Sequence, residues 1–226
     1  MKDEFLKDLR RDTAALVLFS GGQDSTVCLY WAMKNFGRVE AVCFRYGQRH
    51  EAELEAAQYI GSQVGVELHI IDASVIAGLS NSSLTNLSKK LENVNNDSTF
   101  LPDTFVPGRN LLFISMASVV ARERKIANIV VGVSQADYSG YPDCRDAFVR
   151  SLNETLNLAM DEKFVIHTPL MWRDKAAVWQ LADELGIFEL VKNRTVTCYN
   201  GITGDGCGEC ASCKLRKNGL EKYQKQ

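Results

Sequence analysis

The chain has 226 residues, 46% hydrophobic and 24% charged, the make-up of an ordinary globular protein with one good core or, at most, two small ones. A formal net charge of −2 and a pI near 6.0 supply no basic excess for a nucleic-acid backbone, which argues against nucleic-acid binding as the primary role. No apolar run reaches the roughly 18 residues of a membrane span, and the opening MKDEFLKDLRR lacks the apolar stretch of a signal peptide, so a cytoplasmic protein is expected, with seven cysteines that are not a disulfide framework.

Residues 14–19, AALVLF, form an apolar run of strand character, and FSGGQDSTVCL at residues 19–29 turns from glycine to helical composition. A strand, a glycine turn and a helix start bring the backbone N–H groups of Gly21, Gly22 and Gln23 onto one anion at the positive end of the helix. Neither GxxxxGK(S/T), the Walker loop, nor GxGxxG, the dinucleotide fingerprint, occurs in the sequence. The hexad from Ser20 to Ser25 is similar to the SGGxDS loop of the N-type ATP pyrophosphatases. That resemblance implies a cradle for the pyrophosphate end of ATP, bond breaking at the α-phosphate and AMP as product; a plain strand-to-helix turn is the bland alternative. On it, Phe19, Ser20, Gly21, Gly22, Gln23, Asp24, Ser25, Thr26 and Leu29 are the expected ATP-binding residues.

Further strand-like runs fall at residues 39–44, 66–71, 129–133 and 164–167. Between them, Leu54, Ala57, Ile60 and Val64 share one helical face, and Val178, Leu181, Ala182 and Leu185 repeat at i, i+3, i+4 and i+7. Alternating strands and helices predict an α/β fold: a doubly wound, mostly parallel sheet covered on both sides, with ligands beyond the carboxyl ends of its strands. Residues 80–103 break the alternation. Rich in Ser and Asn and weak in apolar periodicity, they read as a mobile surface insertion, either a lid over the site or an insert without a role. The expected division is a nucleotide-binding α/β domain at 1–192 and a C-terminal zinc-binding region at 193–226, whose polar, basic end at 214–226 reads as a solvated helix.

Tyr46 and Arg49, just beyond the second strand, put a ring and a planar cation at the carboxyl edge of the sheet. Pro107 and Gly108 set a turn before Arg109 and Asn110, which open a helical run; the arginine fork suits a phosphate or a carboxylate, or else pairs with a nearby acid. The loop DYSGYPDCRD at residues 137–146 crowds polar and aromatic groups into one turn. There Tyr138 or Tyr141 would stack on a planar heterocycle, Asp143 accept from its N–H donors and Arg145 take a carboxylate; an ordinary surface turn is the cheaper reading. Asp174 is a good N-cap, so Lys175 falls in a first helical turn, where the macrodipole disfavours a cation. That breach of a local rule makes sense if an anion sits there too, a solvated lysine being the alternative. Cys198, Cys207, Cys210 and Cys213, spaced C-x8-C-x2-C-x2-C, predict a closed thiolate site for one structural zinc. Cys28 and Cys43 read as packing residues and Cys144 as the one candidate reactive thiol.

Six motifs in order resemble the 7-cyano-7-deazaguanine synthase family over nearly the whole length: FSGGQDST at Phe19, YGQRH at Tyr46, FVPGRN at Phe105, SGYPDCRD at Ser139, TPLMWRDKA at Thr168 and CYNGITGDGCGECASCKLRKNGL at Cys198. The resemblance implies an adenine nucleotide alpha-hydrolase-like fold and an ATP-dependent ligase that forms a nitrile in queuosine precursor biosynthesis. 7-Carboxy-7-deazaguanine would be adenylated on its carboxylate, ammonia would displace AMP to give the amide, and a second ATP would activate the amide oxygen before AMP leaves. It further implies Mg2+ with the ATP, and Lys175, Asp24 and Arg109 in the catalytic machinery. Tyr46, Arg49, Arg109, Asn110, Tyr141, Asp143 and Arg145 would surround the heterocycle. A homodimer with no nucleic-acid or membrane partner is expected. Two other readings compete. A tRNA-thiolating relative would need a sulfur-carrying cysteine, for which only Cys144 is placed, and an RNA-binding extension. A zinc-ribbon nucleic-acid-binding protein would use the cysteine tail, leave the ATP loop vestigial and bind nucleic acid with salt-sensitive affinity.

Overall fold

The computed structural model describes residues 13–86, 88, 101–136 and 141–226. The five apolar runs become strands β1 (Ala14–Leu18), β2 (Arg38–Arg45), β3 (Glu67–Asp72), β4 (Asn128–Val130) and β5 (Val165–His167), all parallel, in the order β3-β2-β1-β4-β5. The described helices are α1 (Gln23–Asn35), α2 (Ala52–Val64), α3 (Val75–Leu79), α4 (Arg109–Glu123), α5 (Asp146–Met160), α6 (Lys175–Glu184), α7 (Phe188–Arg194) and α8 (Ala211–Tyr223). Side-chain alternation sorts the two faces. Ala15, Val17, Ala41 and Cys43 pack under α1, α2, α6 and α7, while Leu16, Val42 and Phe44 pack under α4 and α5. With both faces covered, β1 is an unbroken apolar run, AALVL, rather than an alternating one.

The chain builds outward from β1 to β3 and then returns to place β4 on the other side of β1. The β1–β4 boundary is therefore the switch point, where a ligand crevice opens beyond the strand ends. Past β4 the chain runs close to the start of α1. A Cβ on Gly132 would lie 3.3 Å from the backbone carbon of Asp24 and 3.4 Å from Cys28 Sγ.

Residues 87 and 89–100 of the expected insertion lie outside the described residues. Its described ends are tied down: Ser83 N–H donates to Asp103 O at 2.9 Å, Arg49 Nη1 donates to Ser83 O at 2.9 Å, and Leu84 packs into the core. No helix among the described residues is long and apolar enough to cross a membrane.

The tail departs from the expectation of a solvated helix. Cys213, Arg216 and Gly219 of α8 are buried, and Leu220 and Tyr223 pack on the core. A Cβ on Gly219 would stand 2.4 Å from Lys175 Cβ, so the backbone of α8 lies directly on the start of α6. Arg216 finds four oxygens, Thr195 Oγ1 at 2.8 Å, Thr197 Oγ1 at 3.0 Å, Val191 O at 2.8 Å and Lys192 O at 3.0 Å, and its guanidinium lies 5.1 Å from the Trp179 ring centre. A helix docked through a glycine and a satisfied arginine leaves little apolar periodicity to read.

Candidate active site

The β1–α1 turn is an anion site by construction. Gly22 caps α1, and the first bond of that helix runs from Thr26 N–H to Gly22 O at 3.0 Å. The N–H groups of Gln23, Asp24 and Ser25 are the donors that a helix start leaves over, at the positive end of its dipole. Ser20 and Ser25 knit the turn: their hydroxyl oxygens lie 3.1 Å apart, Gly22 N–H donates to Ser20 Oγ at 3.3 Å, and Ser25 Oγ donates to Gly22 O at 3.2 Å. Gly21 is left-handed, with φ of 81°, and a Cβ there would meet Glu53 O at 2.4 Å and Ala57 N at 2.6 Å, so glycine alone lets the loop lie on α2. From the other side Val196 N–H donates to Gly21 O at 3.1 Å.

Lys175 falls where its N-cap predicts: Asp174 Oδ1 accepts from Ala177 N–H at 2.9 Å. The anion that answers its misplaced charge is Asp24. Lys175 Nζ lies 2.7 Å from Asp24 Oδ1 and 2.6 Å from Oδ2, and the lysine is only 7% exposed. Two elements far apart in sequence thus deliver a cation and a carboxylate to the same edge of the phosphate turn.

Beyond the strand ends a cavity of about 1100 Å3 opens over this turn. Phe19, Ser20, Gly22, Gln23, Asp24 and Ser25 line it from one side, and Tyr46, Arg49, Arg109, Asn110, Tyr141 and Arg145 from the others, with Lys175 between. Among the described residues the charged groups of its wall are Lys175, Arg49, Arg109 and Arg145 against Asp24 and Glu53, a cationic balance inside a chain of net charge −2, which suits an anionic ligand. Phe44, Tyr46, Phe113, Tyr141 and Tyr199 add flat apolar faces suited to planar heterocycles. Burial opposes the charge of Arg109, but Tyr46, Tyr141 and Asp143 outweigh it and hold the guanidinium protonated. Gln23 is 1% exposed, and its amide Nε2 and Oε1 have no hydrogen-bond partner among the described residues.

Four expected residues lie off the cavity wall, the first being Gly21, whose backbone lies against α2. Thr26 and Leu29 are fully buried on the core side of α1, and the cavity does not reach them. Asp143, in a 3-10 turn at Pro142–Cys144, is buried: its Oδ2 accepts from Asn110 N–H at 3.1 Å while Asn110 Nδ2 donates to Asp143 O at 3.2 Å. It serves as the N-terminal acceptor for α4 and so sets the position of Arg109 and Asn110. Tyr138 lies outside the described residues. Burial, reinforced by Asp143, pushes the Cys144 thiol up to about 11, so it is a thiol and not a thiolate at neutral pH.

The four C-terminal cysteines converge, with all four sulfurs within 4.8 Å of one another. Cys207 Sγ and Cys213 Sγ are 3.9 Å apart, close to the about 3.8 Å that tetrahedral zinc–thiolate bonds require. Backbone N–H groups of Asn200, Cys210 and Cys213 point at Cys198 Sγ, Cys207 Sγ and Cys210 Sγ at 3.3, 3.4 and 3.4 Å. The N–H groups of Cys210 and Glu209 bring the Cys207 thiol down to about 6. The donor set and its spacing are compatible with zinc.

Sequence reasoning passed over Glu53, Tyr199, Arg216 and Gly219. Glu53 carried a signal, because with Ala57, Ile60 and Val64 it makes i, i+4, i+7 and i+11, an acid on the apolar stripe of α2. Gly219 and Arg216 carried none.

A family model described as Queuosine biosynthesis protein QueC matches residues 14–224. A 7-cyano-7-deazaguanine synthase of Parabacteroides distasonis is 58% identical over 219 residues, covering 96% of this chain and 97% of that one. The enzyme of the same name from Bacteroides fragilis is 60% identical over 213 residues, covering 94% and 97%. Among solved structures, a 4-thiouridine synthetase in complex with RNA and ATP superposes with a TM-score of 0.53 at 19% identity, over 94% of this chain and 50% of that one. A predicted subunit of a tRNA methyltransferase from Methanocaldococcus jannaschii gives 0.51 at 18% identity, over 76% and 75%. These two share the fold, and the matched span with the close relatives places the chain in the queuosine biosynthesis protein QueC family.

Proposed function

We propose that the protein makes 7-cyano-7-deazaguanine, the product its close relatives are named for, from 7-carboxy-7-deazaguanine, ammonia and ATP. The observation that carries the reading is one cavity that joins a phosphate turn, the Lys175–Asp24 pair and an aromatic, cationic wall. Its volume exceeds that of a single drug-sized site and suits a nucleotide beside a heterocycle.

The carboxylate of the heterocycle attacks the α-phosphorus of ATP. Pyrophosphate departs into the N–H groups of Gln23, Asp24 and Ser25, with the Ser20 hydroxyl and Lys175 neutralising the charge that grows on it. Ammonia displaces AMP, and the amide passes through a second round in which its oxygen is adenylated and AMP leaves to give the nitrile. Arg145 and Arg49 attract the carboxylate, Tyr46 and Tyr141 flank the ring, and Arg109 and Asn110, held by Asp143, face the reacting groups. No step needs a thiolate, and the protonated Cys144 counts against the thiolating alternative. Mg2+ would ride on the ATP phosphates, Asp24 being the carboxylate at the turn. Zinc on Cys198, Cys207, Cys210 and Cys213 would be structural, closing residues 193–226 onto the α/β domain. The reading includes a cytoplasmic homodimer, for which the exposed Leu111, Leu112 and Val119 of α4 offer an apolar surface.

Incubation with ATP, ammonium and the carboxylate, followed by mass spectrometry, is expected to show AMP, pyrophosphate and the nitrile. ADP and inorganic phosphate as primary products would sink the assignment.

A further inference from the structure

The nitrogen of the nitrile enters as ammonium with four protons and ends with none. Adenylation of the carboxylate needs no base, but each later step does. Ammonium has no lone pair until one proton is removed. Attack then forms the C–N bond, the C–O bond to AMP breaks, and a second proton leaves nitrogen. In the second round the amide oxygen bonds to the α-phosphorus as the bond to pyrophosphate breaks, and a third N–H pair becomes the C=N π bond. The fourth N–H pair becomes the last π bond as the C–O bond to AMP breaks.

Among the described residues two carboxylates line the cavity. Both oxygens of Asp24 are taken by Lys175, at 2.7 and 2.6 Å. The other is Glu53, in the first turn of α2, whose backbone oxygen would lie 2.4 Å from a Cβ on Gly21. That contact fixes the backbone of Glu53 beside the phosphate turn, and the residue lines the same cavity as Arg109 and the turn. The charged and titratable groups facing its carboxyl are Arg109 from α4 and Tyr46 and Cys43 from β2 and its exit; His50, at the approach to α2, and the Lys175–Asp24 pair share the cavity.

On the nitrile-forming reading above, we propose that Glu53 is the general base that takes the protons from nitrogen, first from ammonium and then from the amide, passing each to cavity water before the next. Burial pushes its carboxyl up to about 7, against the pull of Arg109, so it is charged enough to accept a proton and weak enough as an acid to hold it at neutral pH. Below that value the base form is lost and the rate falls with pH.

The test uses the full chain, with Glu53→Gln and Glu53→Asp compared in two assays. Acid-dependent exchange of pyrophosphate into ATP, without ammonium, reads adenylation alone. Conversion of the preformed amide to the nitrile, followed across pH, reads proton removal without the titration of ammonium itself. Glu53→Gln is expected to keep exchange within about twofold of wild type and to lose roughly 100- to 10000-fold in nitrile formation. The acidic limb near pH 7 should vanish with it, and Glu53→Asp should restore both in part. Wild-type nitrile formation with an unchanged acidic limb in Glu53→Gln would overturn the proposal, as would equal loss of exchange and nitrile synthesis. Absence of acid-dependent exchange in the wild type would instead overturn the nitrile-forming reading itself.

Discussion

A buried lysine at the start of a helix is unfavourable twice, by desolvation and by the dipole, and Asp24 is what makes Lys175 tolerable. The same pair explains how the cation is kept ready: departing pyrophosphate presents oxygens like those of the carboxylate and competes for Nζ without moving the backbone. Lys175→Ala is expected to lower acid-dependent pyrophosphate exchange by about two to three orders of magnitude. The loss should exceed that of a neutral cavity, because Asp24 is left unpaired where phosphates must approach; wild-type exchange would make the lysine a structural counterion only. Sequence reasoning reached Lys175 through the broken dipole rule, and it supposed a bound anion where the chain supplies its own. Asp143 shows the opposite limit. Its residue type suited a ligand acceptor, but a carboxylate that also caps a neighbouring helix cannot be told from one that faces a ligand until the two elements are seen to meet.

At the scale of elements, β1 and β2 were legible as runs because their central residues are buried on both faces and so are mostly apolar, whereas β3, an edge strand with no fully buried residue, was legible from Val66, Leu68, Ile70 and Ile71. β4 is shorter than its apolar run: Val131 N–H still donates to His167 O of β5 at 2.9 Å, and Val131 and Val133 go on to line the cavity. The exception inside a strand is Glu40, 2% exposed on β2 at the edge of the sheet opposite the cavity. It joins three elements, accepting from Arg38 at 2.9 Å, from Arg124 at the end of α4 at 2.8 Å, and lying 2.8 Å from His69 Nε2 of β3. Burial alone would raise its carboxyl, but His69, Arg124 and Arg38 outweigh it and hold it below the usual range. A folded value below the unfolded one contributes stability above the unfolded pKa and loses it as pH falls through the folded value. Glu40→Gln is therefore expected to cost about 1.5–3 kcal/mol in urea unfolding at neutral pH, and the gap to wild type should close as the pH falls through the folded value. A gap that widens in acid would contradict the network. Catalysis should be untouched, because none of these groups lines the cavity.

Over the whole molecule the C-terminal region and the phosphate site are one mechanical unit, although neither its composition nor its periodicity announced this. Cys210 caps α8 and Cys213 lies in its first turn, so the cysteine cluster fixes where that helix begins. From there α8 acts at two points: Gly219 bears on Lys175, and Arg216 holds Thr195 and Thr197 on either side of Val196, whose N–H holds Gly21. The zinc proposed for the four thiolates would contribute about 10–16 kcal/mol of apparent binding free energy at neutral pH, more than the net stability of many domains. Its removal should therefore release α8 and, with it, both the lysine and the loop. One zinc per chain is expected by elemental analysis. Stripping it with a chelator should lower the melting temperature, expose the amides of α8 to hydrogen exchange and abolish pyrophosphate exchange together. Gly219→Val separates the two effects, because it leaves the cysteines intact while its side chain cannot fit against Lys175 Cβ. That variant should keep its metal and lose most of its adenylation. If it adenylates at the wild-type rate, or if metal-free protein does, the clamp has no hold on the chemistry and the cysteine cluster stabilises the tail alone.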